Sequence, residues 1–502
     1  MVLLGATIAH TVAFNGDSIL WFVGGEKLNA LALGALQTTM VWGLALALSL
    51  SLWAMAVLLP VAALTSATVS YFISTFKLQA FGPNTIALAA ETNLEEAFGL
   101  VSQELLLRAA LAVGIALSIV LLQAKVLPGF SRWRRICLIG VCGVVSAVPH
   151  LVAKLPMGLP FDAVANTFYY LMERHRFQGL LETREDLSLL PAQALDQDMV
   201  VVLVIGEAAR ADHFQINGYE RNTTPKAAEL GVVSFRDVTS CGTTTRVSVP
   251  CMLTRATLQD PGRAVRETSL VSVFRAAGFR TAWISNQSFL GKANTAVSAI
   301  AHEAHTVHFN RPQADNVLLS FVDQELLDPM ERFLQAAGSR ALVVLHTVGS
   351  HWLYEHHYPD EFRVFTPVCK RRSPASCSKE EVLNAYDNTI LYTDHFIAEV
   401  IRRVQSRRAL VFYVSDHGES FGEEGRWGHG QAEGIPEQRK VAMLVWASRD
   451  FQETHPARFH SIQAMREKPL SHDNLFHSLL DCAGIESVVV DRNLSICAGR
   501  SP

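Results

Sequence analysis

The residues best suited to chemistry lie in a short segment, Ser240–Cys251, where three consecutive threonines stand between two cysteines. A threonine hydroxyl is a weak nucleophile at neutral pH and needs a metal ion or a base to favour the alkoxide. Two other segments offer metal ligands, because Glu207 follows one apolar run and Asp416-His417 follows another. Two carboxylates with one imidazole suit Zn²⁺ or Mn²⁺ better than Ca²⁺ or Mg²⁺. We therefore expect Thr245 to complete a metal site at these residues and to act as a nucleophile toward phosphorus.

The segment after Thr245, residues 246–255, is predicted to begin a helix. The unpaired N–H groups and the positive end of such a helix would face an entering phosphate. A bridge between Cys241 and Cys251 would hold the loop rigid, which matters because misplacement by about 1 Å can cost a hundredfold in rate. Taken alone, the three threonines are typical of a capping and turn sequence without chemistry. Their coincidence with acidic residues at two strand ends favours the catalytic interpretation.

Two histidines lie beside glycines in loops, His351 in Gly-Ser-His-Trp and His429 in Gly-His-Gly. We expect them to donate a proton to a leaving alkoxide, to orient phosphoryl oxygens, or to bind a second metal ion. His346 stands at the end of an apolar run, and we assign it to the core. Lys292 would neutralise a phosphate, although a single lysine is more often a solvated surface group. Asn286, at another strand end, is a further candidate for substrate binding.

The elements that must position these residues are alternating strands and helices after Asp198. Short apolar runs, separated by helical stretches and glycine-marked turns, occur at 199–205, 280–284, 341–345, 409–414 and 441–446. This pattern predicts an open, mostly parallel α/β sheet with helices on both faces. Polar residues follow four of these five runs, and the carboxyl ends of parallel strands are where such sheets build their sites. We therefore expect residues 198–502 to form the catalytic domain.

Residues 1–155 are predicted to form a helical membrane domain. The stretch between Lys27 and Lys77 holds no Asp, Glu, Lys, Arg or His, and its length suits two bilayer crossings with a tight turn. About five transmembrane helices are predicted in total, at 3–23, two within 28–76, 105–122 and 136–152. Polar residues interrupt the first of them. No basic n-region or small-residue cleavage site accompanies it, so a cleaved signal peptide is not expected.

The orientation follows from four basic residues between the fourth and fifth spans, Lys125, Arg132, Arg134 and Arg135. By the positive-inside rule this loop is cytoplasmic, so the fifth span delivers the C-terminal domain to the opposite side of the membrane. Two local cysteine pairs agree, because loop disulfides persist in an oxidising compartment; they are Cys241 with Cys251 and Cys369 with Cys377. Cys482 and Cys497 are candidates for a third bridge. Unpaired buried thiols are the alternative.

Residues 156–197 are polar and helical, and we expect a linker with amphipathic helices at the membrane surface. A solvated connector without lipid contact is the alternative. The net charge of −4 leaves no basic patch of the kind that binds nucleic acid, so nucleic acid is not expected as a partner.

Four segments together strongly resemble the phosphoethanolamine transferases, which modify lipid A and related envelope glycolipids and include the mobile colistin-resistance enzymes; the segments are Ile205–Phe214, Asn217–Pro225, Ser240–Met252 and Ser415–Ser420. That family belongs to the alkaline phosphatase and sulfatase superfamily. The resemblance therefore implies a sulfatase-like α/β catalytic domain attached to a helical membrane domain. It also implies a transfer of phosphoethanolamine from phosphatidylethanolamine, through a phosphoethanolamine-threonine at Thr245, to lipid A or another envelope saccharide.

The same resemblance implies roles for individual residues. The ligands of one Zn²⁺ would be Glu207, Thr245, Asp416 and His417, and a second zinc is a further option. His351 and His429 would serve the substrate or that second ion, and Lys292 would contact the substrate. In the membrane-side loop, Asn84 and Glu91 would meet the ethanolamine head group; capping or helix packing explains that loop equally well. We expect a monomeric, multi-pass protein of the Gram-negative inner membrane, with its catalytic domain in the periplasm and a link to polymyxin resistance.

The chain departs from the family pattern in places. Arg246 stands where a small residue commonly follows the nucleophile, and the region between His302 and Pro329 lacks the cysteines of another common bridge. The first span is also shorter and more polar than usual.

Other functions remain open at this level. A glycerol-phosphate transferase and a phosphatase or sulfatase-type hydrolase share the superfamily. A transporter or a metal-binding envelope sensor would be a different class, although the predicted spans lack the paired intramembrane charges of a transport path.

Overall fold

The structure, a computed structural model, describes residues 2–23, 27–76, 86, 101–126, 131–153, 155–287, 295–310, 322–371, 377–430 and 435–498. The chain divides into two compact units at the boundary between Glu173 and Arg174. The predicted division had placed a separate linker at 156–197, and that three-part division stays a prediction.

The N-terminal unit is helical. Its helices are α1 (Val2–Phe22), α2 (Lys27–Leu48), α3 (Leu52–Phe76), α4 (Gln103–Val126), α5 (Arg132–Ala153) and α6 (Phe161–Thr183), the last of which continues past the boundary between the units. All five predicted spans fall on helices. In the part of the chain that the structure describes, three stretches are long and apolar enough to cross a membrane: Lys27–Leu48, Trp53–Ser74 and Gln103–Leu121. The number of crossings beyond these three stays a prediction.

Two polar residues of α1, Asn15 and His10, have partners inside this unit. The Leu159 N–H donates to Asn15 Oδ1 at 2.6 Å, and Asn15 Nδ2 donates to the Leu159 carbonyl at 3.4 Å. His10 Nε2 lies 3.1 Å from the Ser66 hydroxyl on α3. Because an unpaired polar group in an apolar setting is costly, these bonds explain how α1 tolerates the residues that interrupt its apolar sequence.

Helix α6 leaves an apolar stripe exposed. Val164, Phe168, Leu171 and Met172 recur at helical spacing and are each more than half exposed, whereas Ala163 and Tyr170 are buried. This pattern fits the amphipathic linker predicted from the sequence. Contact with a membrane surface stays a prediction.

The C-terminal unit is built on a seven-stranded sheet. Its strands are β2 (Met199–Gly206), β3 (Val233–Phe235), β5 (Arg280–Ser285), β6 (Thr306–Phe309), β7 (Arg340–His346), β8 (Ala409–Ser415) and β11 (Met443–Ala447). Their order across the sheet is β3-β11-β8-β2-β7-β5-β6. The run from β8 to β6 is parallel, and β11 is antiparallel to both β8 and β3. The mostly parallel sheet predicted from five apolar runs is therefore confirmed.

Burial on both faces explains why those runs are apolar throughout. In β2, Met199, Val201 and Leu203 pack into one core, and Val200 and Val202 pack into the other, since successive side chains point to opposite faces. The helices on the two faces are α7 (Pro225–Glu229), α8 (Thr245–Met252), α9 (Leu270–Ala276), α10 (Ala296–Ala301), α11 (Leu327–Ala336), α12 (Lys379–Val404), α13 (Arg449–Thr454), α14 (Pro456–Ala464) and α15 (Asp473–Cys482). Helix α8 confirms the helix predicted after Thr245.

Short strands and disulfides complete this unit. The remaining strands form three two-stranded sheets: β1 (Ala192–Ala194) with β13 (Ile485–Ser487), β4 (Val238–Thr239) with β12 (Leu470–Ser471), and β9 (Ser420–Phe421) with β10 (Trp427–Gly428). All three predicted bridges are present, Cys241–Cys251, Cys369–Cys377 and Cys482–Cys497. Each closes a short loop, and a closed loop stabilises the fold mainly by restricting the unfolded chain.

Candidate metal centre and active site

The sheet register brings the predicted metal ligands together. Strands β2 and β8 are parallel neighbours, and Gly206 lies opposite Ser415. The residue that follows each strand is an acid, Glu207 after β2 and Asp416 after β8, so the two acids lie side by side. Both side chains are buried, with at most 1% exposed, at the carboxyl edge where such sheets build their sites.

The backbone around Glu207 allows this close approach. A side chain at Gly206 would overlap the Tyr413 hydroxyl, so only glycine fits there. Ala208 lies in the left-handed region with φ of 54°, a conformation that costs a non-glycine residue about 1 kcal/mol or more. Its N–H donates to Asp416 Oδ1 at 3.2 Å, and the Tyr386 hydroxyl donates to its carbonyl at 2.7 Å. These bonds hold Ala208 in the strained conformation and fix the direction of the Glu207 side chain.

Three buried polar atoms converge without a hydrogen-bond partner among the described residues: Glu207 Oε1, Asp416 Oδ2 and His417 Nε2. His417 Nε2 lies 3.1 Å from Glu207 Oε1 and 3.5 Å from Asp416 Oδ2. His417 Nδ1 lies 2.9 Å from the Gly418 carbonyl, which can only accept, so Nδ1 carries a proton and Nε2 is the ring nitrogen that a metal ion between the carboxylates would bind. A metal-binding histidine is oriented by the same kind of bond.

The electrostatics of this cluster call for positive charge. Burial raises the pKa of Asp416, and repulsion from Glu207 raises it further, to about 7. Burial alone would lower the pKa of His417, but the two carboxylates outweigh it and raise the pKa to about 10. For Glu207, burial alone would raise the pKa, yet three imidazoles, led by that of His417, hold it well below its usual range. A divalent cation bound between these residues would balance the negative charge of the two carboxylates. It would also give Glu207 Oε1, Asp416 Oδ2 and His417 Nε2 a common partner.

Thr245 stands in this cluster. Its hydroxyl donates to Glu207 Oε2 at 3.0 Å, and it is the first residue of α8. The Ser248 and Val247 N–H groups bond back to the Thr244 carbonyl at 2.9 and 3.1 Å, which closes the first turn of the helix beside the hydroxyl. The structure therefore brings the threonine, the two acids and His417 together, and their roles as nucleophile and metal ligands stay predictions.

The two loop histidines also approach Glu207. Ligand atoms of Glu207, His351 and His429 lie within 4.8 Å of one another, as do those of Glu207, Asp416 and His417. The rings of His417 and His429 are 4.1 Å apart, and those of His351 and His429 are 6.1 Å apart. Glu207 is thus common to two potential metal-binding groups.

Two residues of the site were not identified from the sequence. Glu419, fully buried, has its Oε2 3.3 Å from His429 Nδ1 and also bonds the Tyr354 hydroxyl. Gln287 Nε2 donates to Glu207 Oε2 at 3.3 Å and to the Thr347 carbonyl at 2.9 Å. Gln287 is adjacent to Asn286, and Glu419 is two residues after His417. Only the orientation of the two side chains in space shows that they face the cluster.

The remaining predicted residues have different outcomes. Asn286 bonds Asp323 through Nδ2 at 3.0 Å and accepts from Asn310 through Oδ1 at 2.6 Å, so its amide is engaged beside the site, and its role with substrate stays a prediction. His346 is buried against Trp283, and burial lowers its pKa to about 4, as expected of a core residue. Lys292, Asn84 and Glu91 lie outside the described residues.

Comparison with known proteins gives the context for this site. The profile of the Sulfatase family matches residues 199–485, and a profile described as Phosphoethanolamine transferase EptA/EptB matches residues 39–155. The chain is 29% identical over 502 residues to phosphoethanolamine transferase EptA of Escherichia coli K12, covering 92% of this chain and 90% of that relative.

Solved structures agree with these sequence matches. The integral membrane protein lipooligosaccharide phosphoethanolamine transferase A of Neisseria meningitidis superposes with a TM-score of 0.83 at 23% identity, covering 100% of this chain and 98% of that one. The soluble domain of that transferase is 31% identical, with a TM-score of 0.58 and coverage of 64% and 99%. The periplasmic domain of E. coli EptC in complex with zinc is 24% identical, with a TM-score of 0.56 and coverage of 62% and 91%.

The sheet, the strand-end cluster and the family match place the catalytic unit in the alkaline phosphatase and sulfatase superfamily. Within that superfamily the chain belongs to the phosphoethanolamine transferases, with a helical membrane domain before the catalytic one. It is an enzyme of that type, which decides against the transporter and the sensor. The resemblance and the fold class predicted from the sequence are both confirmed.

Proposed function

We propose that this protein moves phosphoethanolamine from phosphatidylethanolamine to lipid A or another lipopolysaccharide or envelope saccharide, with Thr245 as the covalent carrier. The observation that supports this most directly is the 3.0 Å hydrogen bond from the Thr245 hydroxyl to Glu207, inside the cluster of orphaned ligand atoms. A nucleophile held against its activating group is the expected geometry for covalent catalysis.

Zinc is the metal that the residues fit best. Two carboxylates, one imidazole and one hydroxyl make a four-ligand set of the kind zinc accepts, and the EptC domain to which this chain is similar was solved with zinc. We propose that Glu207, Thr245, Asp416 and His417 hold one Zn²⁺. When bound, the ion would act as a Lewis acid that lowers the pKa of the hydroxyl and balances the charge of the phosphoryl group.

In the first step, Thr245 Oγ1 bonds to phosphorus, and the bond from phosphorus to the glycerol oxygen breaks. The leaving oxygen keeps the electron pair and gains a proton to become diacylglycerol, and the proton that Thr245 Oγ1 loses passes to Glu207 Oε2, 3.0 Å away. The first turn of α8 presents backbone N–H groups beside the phosphoryl oxygens. His351 and His429 stand near Glu207, where an imidazole would protonate the leaving oxygen.

In the second step, a phosphate or hydroxyl oxygen of the acceptor bonds to phosphorus, and the bond from phosphorus to Thr245 Oγ1 breaks. Oγ1 regains the proton held by Glu207 in the first step, and a proton lost by an acceptor hydroxyl replaces the one that an imidazole gave to the leaving oxygen. The two displacements share one site, so the same groups stabilise both transition states. Both substrates are lipids, and we propose that the helical unit anchors the enzyme in the Gram-negative inner membrane, with the catalytic unit in the periplasm.

The nucleophile is tested with vesicles that contain phosphatidylethanolamine labelled in the head group and phosphatidylglycerol labelled separately. The parent should carry the ethanolamine label on Thr245, and Thr245→Ala should carry none, with turnover reduced by roughly a thousandfold or more, as when other enzymatic nucleophiles are removed. Thr244→Ala is the matched control, because the neighbouring threonine makes no side-chain capping bond. Label from phosphatidylglycerol would instead indicate glycerol-phosphate transfer, and normal turnover by Thr245→Ala would exclude this nucleophile.

The acceptor is identified by mass spectrometry of lipid A and core saccharide from cells with and without the protein. An added phosphoethanolamine on lipid A phosphate, on a core sugar or on another glycan would each name a different acceptor. Unchanged lipid A and core would remove the lipopolysaccharide acceptor from the proposal.

A further inference from the structure

Asp323 is a buried carboxylate that the proposed chemistry does not use. It begins the short helical turn Asp323–Leu326 ahead of α11, and only 4% of it is exposed. Its Oδ1 accepts from the Val348 N–H at 2.9 Å and from Asn286 Nδ2 at 3.0 Å, and its Oδ2 accepts from the Gly349 N–H at 2.9 Å. A buried carboxylate needs such donors, because burial disfavours the charged form, and two of these donors belong to one distant turn.

That turn follows β7 and packs on the backbone of Glu207. Gly349 lies in the left-handed region with φ of 52°, and a Cβ there would sit 3.0 Å from both the N and O of Glu207. The Ser350 N–H donates to the Glu207 carbonyl at 3.0 Å. Thr347 Oγ1 donates to the Ile205 carbonyl at 2.8 Å. The turn is therefore in direct contact with the residue that supplies a ligand to both metal-binding groups.

The turn leads directly to His351. A ring nitrogen of His351 lies within 4.8 Å of ligand atoms of Glu207 and His429. One residue, Ser350, separates His351 from Gly349, whose N–H donates to Asp323. An imidazole that assists at a reacting centre must be placed closely, since a displacement of about 1 Å can lower a rate a hundredfold. Asp323 is the side chain that accepts from the two successive N–H groups of Val348 and Gly349, and these two bonds limit such a displacement.

We propose that Asp323 is a positioning residue that clamps the 347–351 turn and so fixes His351 relative to Glu207. This inference rests on the proposed function for the role of His351. The hydrogen bonds of Asp323 go to Val348, Gly349 and Asn286 and not to a proposed metal ligand, so Asp323 acts through the turn.

The test compares Asp323→Asn with Asp394→Asn. Asp394 is a matched control, because it is also buried, with 1% exposed, and accepts two successive backbone N–H groups, those of Lys226 and Ala227, at 2.7 and 2.8 Å. Each substitution replaces one accepting oxygen by an amide that cannot accept from the facing N–H. The loss of thermal stability should therefore be similar in the two variants. They differ in the segment that is released, which is the 347–351 turn for Asp323 and the start of α7 for Asp394.

Two measurements on the full-length enzyme decide the outcome. Amide hydrogen exchange of the peptide containing residues 346–351 should accelerate in Asp323→Asn and stay at the parent rate in Asp394→Asn. The kcat for diacylglycerol release should fall by roughly tenfold to a hundredfold in Asp323→Asn, with KM unchanged within about twofold, because placement and not binding is affected. Asp394→Asn should keep the parent kcat.

A double-mutant cycle with His351→Ala adds the specific readout. If Asp323 acts through His351, the double variant should lose little beyond His351→Ala alone, so the two effects are not additive. Fully additive effects, or a kcat for Asp323→Asn equal to that of Asp394→Asn, would overturn the proposal. A parent enzyme that does not label Thr245 would instead refute the proposed function, and the hydrogen-exchange comparison would still decide whether Asp323 clamps the turn.

Discussion

Glu207 contacts the proposed nucleophile and belongs to both potential metal-binding groups among the described residues. One carboxylate oxygen accepts from Thr245 and Gln287, and the other faces His417 Nε2 at 3.1 Å. Its backbone is held by the turn after β7, in which the Ser350 N–H donates to its carbonyl. A change to any of these contacts should therefore affect nucleophile and metal ligand together.

Replacing Gly349 by alanine should damage the site through Glu207. The φ of 52° by itself costs a side chain about 1–2 kcal/mol, and the added Cβ would press on the Glu207 backbone. Gly338→Ala is the matched control, because Gly338 has φ of 79° and nothing within 4 Å of a Cβ. Thermal unfolding and kcat should be measured for both. Gly349→Ala should lower kcat and the control should not; equal kcat values in the two variants would show that the turn does not set the position of Glu207.

At the scale of elements, α8 is the helix that presents the nucleophile, and its loop is held from two sides. The Cys241–Cys251 bridge joins the residues before and inside the helix, and the Gly242 N–H donates to the Ser248 hydroxyl at 3.1 Å. The bridge is packed against Ala256 and Ala264 in a small apolar cluster. These contacts restrain the loop, so they should contribute both to the stability of the fold and to the position of Thr245 in the site.

Removing that bridge should therefore cost both stability and rate. Replacing Cys241 and Cys251 by alanine is expected to lower the free energy of unfolding by about 2–4 kcal/mol and to lower kcat as Thr245 loses its fixed position. Replacing Cys369 and Cys377 is the matched control, since that bridge spans 8 residues against 10. The control should lose similar stability at an unchanged kcat. Denaturant unfolding and diacylglycerol release measure the two effects, and equal kcat losses would contradict a special role for the first bridge.

At the scale of the whole molecule, the catalytic unit has its own sheet, two apolar cores and all three disulfides. The helical unit has its own packing, in which polar groups such as Asn15 find partners inside that unit. Each unit thus meets the requirements for folding by itself.

A fragment of residues 174–502 should fold, keep the zinc content of the full-length enzyme and label Thr245 with a water-soluble phosphoethanolamine ester. Its turnover of phosphatidylethanolamine in vesicles should fall by roughly tenfold or more, because the tether that raises the local concentration of the lipid is gone. Circular dichroism, metal analysis and vesicle assays provide the measurements. Vesicle turnover equal to that of the full chain would show that the helical unit does not deliver the donor.

Much of the fold followed from the chain's local pattern. Strands buried on both faces must be apolar throughout, so β2, β7 and β8 can be predicted from short apolar runs in the sequence. The polar residues that follow these runs indicate the edge of the sheet where the site lies. The pairing of cysteines that are close in sequence could also be predicted, because each such cysteine has one near neighbour with which to form a disulfide. Glu207, Thr245, Asp416 and His417 were identified in this way, since the chemistry of their side chains is visible before any folding.

Only the tertiary structure decided which neighbours complete the site. Asn286 and Gln287 are adjacent amides at one strand end, and the sequence offered no reason to prefer the second; the structure turns Gln287 toward Glu207 and Asn286 toward Asp323. Asp323 holds the turn after β7 from 25 residues away, a contact without a local signature. The orientation of a side chain and the contacts between distant segments depend on how the whole domain packs. A local stretch of sequence does not contain that information.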